Sequence, residues 1–187
     1  MKQKINKIVL YGPESTGKTQ LAKDLAQVNN TVWVPEYARL YLELKHQHYN
    51  PNFNINEVCG EEDILPIVLG QIAIEELQYP FAKNFLFCDT NPLETKVYVK
   101  YYFNKEYTWL NELIKNLQYD YYILTDIDIA WQEDPLRDRP YDRKKLFDLF
   151  QNELEVNNLP YSVVQGIGDE RLKNALNIIN SYVSEQK

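Results

Sequence analysis

Short apolar runs alternate along this chain with stretches in which apolar residues recur every three or four positions. Residues 5–11, 31–34, 84–89, 119–125 and 161–165 are brief, apolar and bounded by turn formers, the pattern of buried strands. Helical spacing shows in Leu21, Ala22, Leu25 and Val28, in residues 64–77 and 146–154, and in Leu172, Leu176, Ile179 and Val183. Asp169, following Gly168, is placed to cap the last helix. Strands alternating with helices predict an α/β fold, a five-stranded, mainly parallel sheet with helices on both faces. Such sheets bind ligands at the carboxyl ends of their strands, which sorts the polar residues.

The first strand runs into Gly12-Pro13-Glu14-Ser15-Thr16-Gly17-Lys18-Thr19, which reads G-x-x-x-x-G-K-T, the Walker A phosphate loop, in the required context of strand, glycine loop and helix. Gly12 and Gly17 permit backbone angles and close approach that a Cβ would forbid. The N–H groups of Glu14, Ser15, Thr16 and Gly17, with the start of the helix, form an anion cradle. Lys18 supplies a mobile charge for the β- and γ-phosphates, and the Thr19 hydroxyl is a ligand for Mg²⁺. The expected cofactor is a nucleoside triphosphate with Mg²⁺, ATP or GTP.

At the second strand end, Glu36 is expected to project toward the transferable phosphate, with Arg39 three residues on, on the same helix face. Arg39 either binds substrate or pairs with Glu36. The third run closes on Asp89, a Walker-B-like carboxylate for Mg²⁺ or for catalysis; the structural alternative is a helix cap before Pro92. After the fourth strand, residues 131–140 are charged, proline-bounded and irregular, and are expected to form a lid whose Arg137 and Arg139 reach the phosphates. The plainer alternative is a solvated loop in which these arginines pair with Asp134 and Asp138. Gly168, in the turn after the last strand, is expected beside the nucleotide base. Tyr37, Tyr98 and Trp131 flank the place where a planar substrate ring would lie, and an aromatic slot among carboxylates suits a cationic ring. His46 and His48 have no companions to complete a metal site and read as surface residues.

Composition narrows the class. Twenty basic against 27 acidic residues give a net charge of −7, which argues against a nucleic-acid surface. Hydrophobic residues make up 44% of the 187, enough for a core. Two cysteines, Cys59 and Cys88, indicate no disulfide framework. No apolar run approaches a membrane span, and residues 1–4 lack the apolar segment of a signal peptide. A cytoplasmic location with no membrane or nucleic-acid partner is the expectation, and homo-oligomerisation is compatible with the sequence.

These residues resemble the ribosylnicotinamide kinase domain of bacterial NadR-type NAD-biosynthesis proteins, within the P-loop nucleoside and nucleotide kinase superfamily. The loop from Gly12 to Lys18 is similar to that family's G-x-E-S-S/T-G-K. Glu36-Tyr37-Ala38-Arg39 is similar to its E-Y-x-R, Phe87-Cys88-Asp89-Thr90 to its strand ending in Asp-Thr, and residues 131–137 to its W-x-x-D-x-L-R. The resemblance runs from the phosphate loop to the last helix and implies one kinase domain over residues 1–187. It implies transfer of a phosphoryl group from ATP to the 5′-hydroxyl of nicotinamide riboside, giving nicotinamide mononucleotide. Lys18 and the loop would then hold ATP, Thr19 and Asp89 the Mg²⁺, and Asp89 or Glu36 would accept the hydroxyl proton. Arg137 and Arg139 would stabilise the phosphoryl group, and Glu36, Tyr37, Arg39, Tyr98 and Trp131 would bind the substrate. Longer relatives carry an adenylyltransferase H-x-G-H motif that does not occur here, and residues 50–62 do not align. A kinase of another nucleoside or nucleotide, such as a deoxynucleoside or thymidylate, is the alternative, followed by an ATPase with a protein partner.

Overall fold

A computed structural model describes residues 4–49, 59–134, 136, 137 and 139–186 of the chain. The five strands are β1 (Asn6–Tyr11), β2 (Trp33–Val34), β3 (Phe85–Asp89), β4 (Tyr121–Thr125) and β5 (Tyr161–Val164). All pair in parallel, in the order β2-β3-β1-β4-β5. The α/β, five-stranded expectation is therefore met. Seven α-helices among the described residues, with a short 3-10 turn at Tyr79–Phe81 after the third, complete the fold: α1 (Lys18–Val28), α2 (Tyr37–Tyr49), α3 (Glu61–Gln78), α4 (Pro92–Phe103), α5 (Thr108–Asn116), α6 (Arg143–Val156) and α7 (Asp169–Glu185).

The period of two in the strands decides which side chain meets which layer. Val9, Tyr11, Leu86, Cys88, Tyr122 and Leu124 face one way and pack with Leu93 and Val97 of α4 and Leu146, Phe147, Phe150 and Leu154 of α6. Ile8, Leu10, Phe87 and Ile123 face the other way and pack with Leu21, Ala22, Leu25 and Ala26 of α1 and Ala175 and Ile179 of α7. A smaller cluster joins Ile64 and Val68 of α3 to Val99 of α4 and Leu110 of α5. Because β1 lies between β3 and β4, Ile8 to Tyr11 are wholly buried.

Several boundaries differ from the sequence pattern for local reasons. Thr31 stays outside β2 because its Oγ1 donates to the Phe85 carbonyl (2.7 Å) and accepts the Lys83 N–H (2.8 Å). Asn84 adopts φ 59°, so β3 begins at Phe85. Tyr119 and Asp120 turn toward Glu75 and Lys7 instead of extending β4. The residue capping α7 is Gly168, with Asp169 the first helical residue, one position from the expectation. Likewise Asn91, not Asp89, precedes α4, and Pro92 takes the first helical position, where its missing N–H is harmless. That leaves Asp89 at the strand end.

At the amino end of the sheet, Glu75 of α3 is 1% exposed. The Tyr119 hydroxyl donates to both its oxygens (3.0 and 3.0 Å), and Lys7 Nζ is 3.6 Å away. Burial pushes its carboxyl up to about 7, from an ordinary value of 4.5, against the pull of Lys7. The folded chain thus holds this proton more tightly than the unfolded chain. Its contribution is most favourable below pH 4.5 and declines as pH rises through about 7, by roughly 3 kcal/mol. Glu75→Gln is expected to flatten this decline, visible as a smaller difference in urea midpoint between pH 5 and pH 8 than the parent shows.

Candidate functional site

The segment between β1 and α1 curls through backbone conformations that few side chains tolerate: φ is 137° at Gly12, 58° at Ser15 and 78° at Gly17. A Cβ on Gly12 would lie 2.8 Å from Thr125 Oγ1 and 3.1 Å from the Thr125 carbonyl. Gly12→Ala is therefore expected to cost about 1–3 kcal/mol of stability and to weaken nucleotide binding, read by melting with and without magnesium nucleotide. The Thr16 hydroxyl donates to the Pro13 carbonyl (2.7 Å) and meets Thr125 Oγ1 (2.7 Å), which ties the loop to the end of β4.

Two arginines that sequence reasoning missed hold this loop from behind. Arg171, buried at the start of α7, donates through Nη1 to the Thr16 carbonyl (2.5 Å) and through Nε to the Gly166 carbonyl (2.6 Å), and it pairs with Asp128. Arg143, first residue of α6, donates to the carbonyls of Ser15 (3.0 Å) and Ile129 (2.7 Å). Both donate to main-chain oxygens of the loop, and Arg171 also to the Asp128 carboxylate. Lys18 is 7% exposed; its Nζ donates to the carbonyls of Gly12 (2.6 Å) and Pro13 (2.9 Å).

Three carboxylates approach the loop. Asp89 is 1% exposed; it accepts the Thr19 hydroxyl at Oδ2 (2.6 Å), and its buried Oδ1 has no partner among the described residues. Burial, reinforced by the neighbouring Glu36 charge, pushes Asp89 up to about 6. An orphaned carboxylate oxygen beside a hydroxyl is a fitting pair of hard oxygen ligands for Mg²⁺. Glu36 is half-buried and lies 4.0 Å from Arg39 Nε. Arg39 reaches farther, donating to both oxygens of Asp134 (3.1 and 3.1 Å) and to Glu43 (3.3 Å). The third, Glu94 in the first turn of α4, was not singled out from the sequence. It is 4% exposed, its Oε1 is 3.4 Å from Lys18 Nζ, and its Oε2 has no partner among the described residues. Burial pushes it up to about 8 against the pull of Lys18, with Glu36 and Asp89 adding to the rise.

These groups open onto a cavity of about 610 Å³. Its walls come from the loop, from Glu36, Arg39 and Leu42 of the α2 region, from Ile64 and Ile67 of α3, and from one face of α4. Tyr98 and Tyr102 of α4 are stacked, ring centroids 5.9 Å apart, and both line it. Gln132, Leu136, Arg137 and Arg139 of the 131–140 segment close one side; Pro135 and Asp138 lie outside the described residues. That segment docks on the phosphate loop: the Gln132 N–H donates to Ser15 Oγ (2.9 Å) and the Arg139 N–H to Glu14 Oε1 (3.1 Å). Arg137 donates to the Gln132 carbonyl (3.0 Å) and lies 4.0 Å from Asp134, while the Arg139 guanidinium sits over the Tyr102 ring, 5.2 Å from its centroid.

Lys18, Thr19, Glu36, Arg39, Tyr98, Arg137 and Arg139 therefore line one cavity, and Asp89 lies buried against Thr19. Tyr37, Trp131 and Gly168 are not among its lining residues. The Tyr37 ring lies over Gly70 of α3, where a Cβ would come within 2.0 Å of it, and its N–H donates to Gln71 (2.8 Å). Gly168 caps α7 in open space. Of the unaligned stretch, residues 50–58 lie outside the described residues, while Cys59 lines the cavity and Glu61 begins α3. The side chains of His46 and His48 also lie outside them. Among the described residues no helix is long and apolar enough to cross a membrane.

A glycine loop between the first strand and first helix of a five-stranded parallel sheet, with a carboxylate ending the neighbouring strand, defines a P-loop nucleotide-binding fold. The family model described as AAA domain (AAA_28) matches residues 7–171, and the chain belongs to that family. The trifunctional NAD biosynthesis/regulator protein NadR of Escherichia coli (strain K12) is 26% identical over 192 residues, covering 98% of this chain. The chain spans only 44% of that relative's length. Crystal structures of NadR protein, in complex with NR and with NAD and AMP-PNP, share the fold at TM-scores of 0.78 and 0.76 and 22% identity. They cover 95% of this chain and 50% and 49% of theirs. The thymidylate kinase of Ehrlichia chaffeensis shares it at 0.61 and 16% identity, over 96% of this chain and 99% of that one.

Proposed function

We propose that this chain is an ATP-dependent kinase that phosphorylates the 5′-hydroxyl of nicotinamide riboside, giving nicotinamide mononucleotide. The observation that carries the reading is a phosphate loop, with Lys18 and Thr19, opening onto a cavity walled by Tyr98 and Tyr102 and carrying Glu36 and Glu94 beside Arg39, Arg137 and Arg139. Similarity to NadR, whose crystal structures hold NR and AMP-PNP, supports the choice of substrates. Residues 12–19 would receive the triphosphate, and Lys18 would exchange two main-chain carbonyls for the β- and γ-phosphates. Thr19 and Asp89 would hold Mg²⁺, which screens the charge on the phosphates.

In the transfer, the bond from the 5′ oxygen to phosphorus forms as the bond to the β,γ-bridging oxygen breaks. ADP departs with that electron pair, and the hydroxyl proton passes to a carboxylate of the cavity floor. Catalysis of this kind is mostly positioning and electrostatics, for which Arg39, Arg137 and Arg139 are at hand. We read residues 131–140 as a lid that excludes water while docked on Glu14 and Ser15. Tyr98 and Tyr102, with Glu36 and Glu94, would offer a cationic pyridinium ring aromatic and acidic contacts.

A panel of nucleosides and nucleotides with an ATP-consumption readout tests the reading. Nicotinamide riboside is expected to be consumed fastest and, at 100 Kd, to stabilise the fold by about 2.7 kcal/mol, read as a raised melting temperature. Preference for a deoxynucleoside or thymidylate would replace it with the second reading, which the shared fold of thymidylate kinase favours.

A further inference from the structure

The cavity floor holds one carboxylate that the proposed chemistry has not used. Glu36 sits near Arg39, and Asp89 is committed to Thr19. Glu94 is almost fully buried, contacts Lys18 with one oxygen and lines the cavity, yet its other oxygen accepts nothing among the described residues. A buried acceptor left unpaired is costly unless a ligand completes it.

Its place along α4 says what kind of donor that ligand brings. Glu94, Tyr98 and Tyr102 recur at every fourth residue and form one stripe of the helix, and all three line the cavity. One four-residue step is about 6 Å of rise. That is close to the span from a nucleoside's 5′ oxygen to its base. A base held at the tyrosines thus brings its sugar's 5′ end to Glu94, which touches the lysine of the phosphate loop.

We propose that the Glu94 carboxylate accepts the 5′-hydroxyl of the nucleoside and holds it beside the phosphoryl group bound at Lys18. This rests on the nucleoside kinase reading above and adds the group that orients the attacking oxygen.

A ligand-and-residue cycle tests it. Nicotinamide riboside and its 5′-deoxy analogue are titrated calorimetrically into the full chain and its variants, with a non-hydrolysable ATP analogue and Mg²⁺ present. At about pH 9, where Glu94 is ionised, a hydrogen bond to this charged acceptor is expected to make the hydroxyl form bind the parent about 10- to 100-fold more tightly. Glu94→Met keeps the side chain's length and removes both oxygens, and should shrink that ratio to about threefold or less. Glu94→Gln keeps a neutral acceptor, should lower the ratio about fivefold, and serves should the Met variant fail to fold. In turnover, the acceptor KM should rise and kcat fall in both variants while the KM for ATP holds. A ratio unchanged by either substitution, with both ligands weakened alike, would overturn the assignment and leave Glu94 as a partner of Lys18 alone. Should the parent ignore nicotinamide riboside but phosphorylate another nucleoside, the substrate reading fails. The same cycle with that nucleoside and its 5′-deoxy form then decides Glu94. Activity on no nucleoside at all overturns both.

Discussion

Lys18→Ala is expected to lower kcat/KM for phosphoryl transfer by about 10²–10³-fold or more, the scale of removing one preorganised group that meets transition-state charge. Lys18 is the charged donor at the mouth of the phosphate loop, held by the carbonyls of Gly12 and Pro13 and by Glu94. The loop itself is braced by Arg143, Arg171 and Thr125, none of which needs the lysine. The variant should therefore fold, with a melting temperature near the parent's, and lose turnover. Steady-state kinetics beside a melting curve separates the two effects. Near-normal turnover in a folded variant would remove the kinase reading altogether.

Asp89→Asn is expected to lower kcat by roughly 10²-fold or more. Asparagine keeps the shape at the end of β3 and can still accept the Thr19 hydroxyl, but carries no charge to hold a divalent ion. The KM for nicotinamide riboside should change little, because Asp89 lies behind the cavity and not in its wall. The concentration of Mg²⁺ giving half-maximal rate should rise. A variant with full activity and an unchanged Mg²⁺ requirement would make Asp89 a structural group that merely orders Thr19.

What the sequence could and could not reveal follows from how far apart the causes lie. The phosphate loop, the strand runs and Asp89 are each set by adjacent residues: turn-forming glycines, β-branched neighbours, a carboxylate closing an apolar stretch. The pattern does not mark α5, and α2 and α4 enter only as the helix expected to carry Glu36 and Arg39 and as the one that Pro92 would open. In α4 (Pro92–Phe103) apolar and aromatic residues surround the helix, since one side meets the sheet and another walls the cavity, so no stripe stands out. Glu94 looked like an ordinary acidic residue in a first helical turn, and only burial beside Lys18 marks it. Tyr37 was placed near the substrate by its nearness to Glu36, yet it opens α2 and packs on Gly70. Arg143 and Arg171 bind carbonyls 128 and 155 positions away, a separation over which no local pattern carries information.

Arg171 has one more consequence. It fastens the final helix to the main chain of the phosphate loop, so the two extremes of the described chain share a single fastening. Fraying of α7 from its carboxyl end back toward Arg171 would slacken the grip on a nucleotide some 150 residues upstream. Conversely, a bound nucleotide should slow hydrogen exchange in the opening turn of that helix, making α7 a reporter on the phosphate loop.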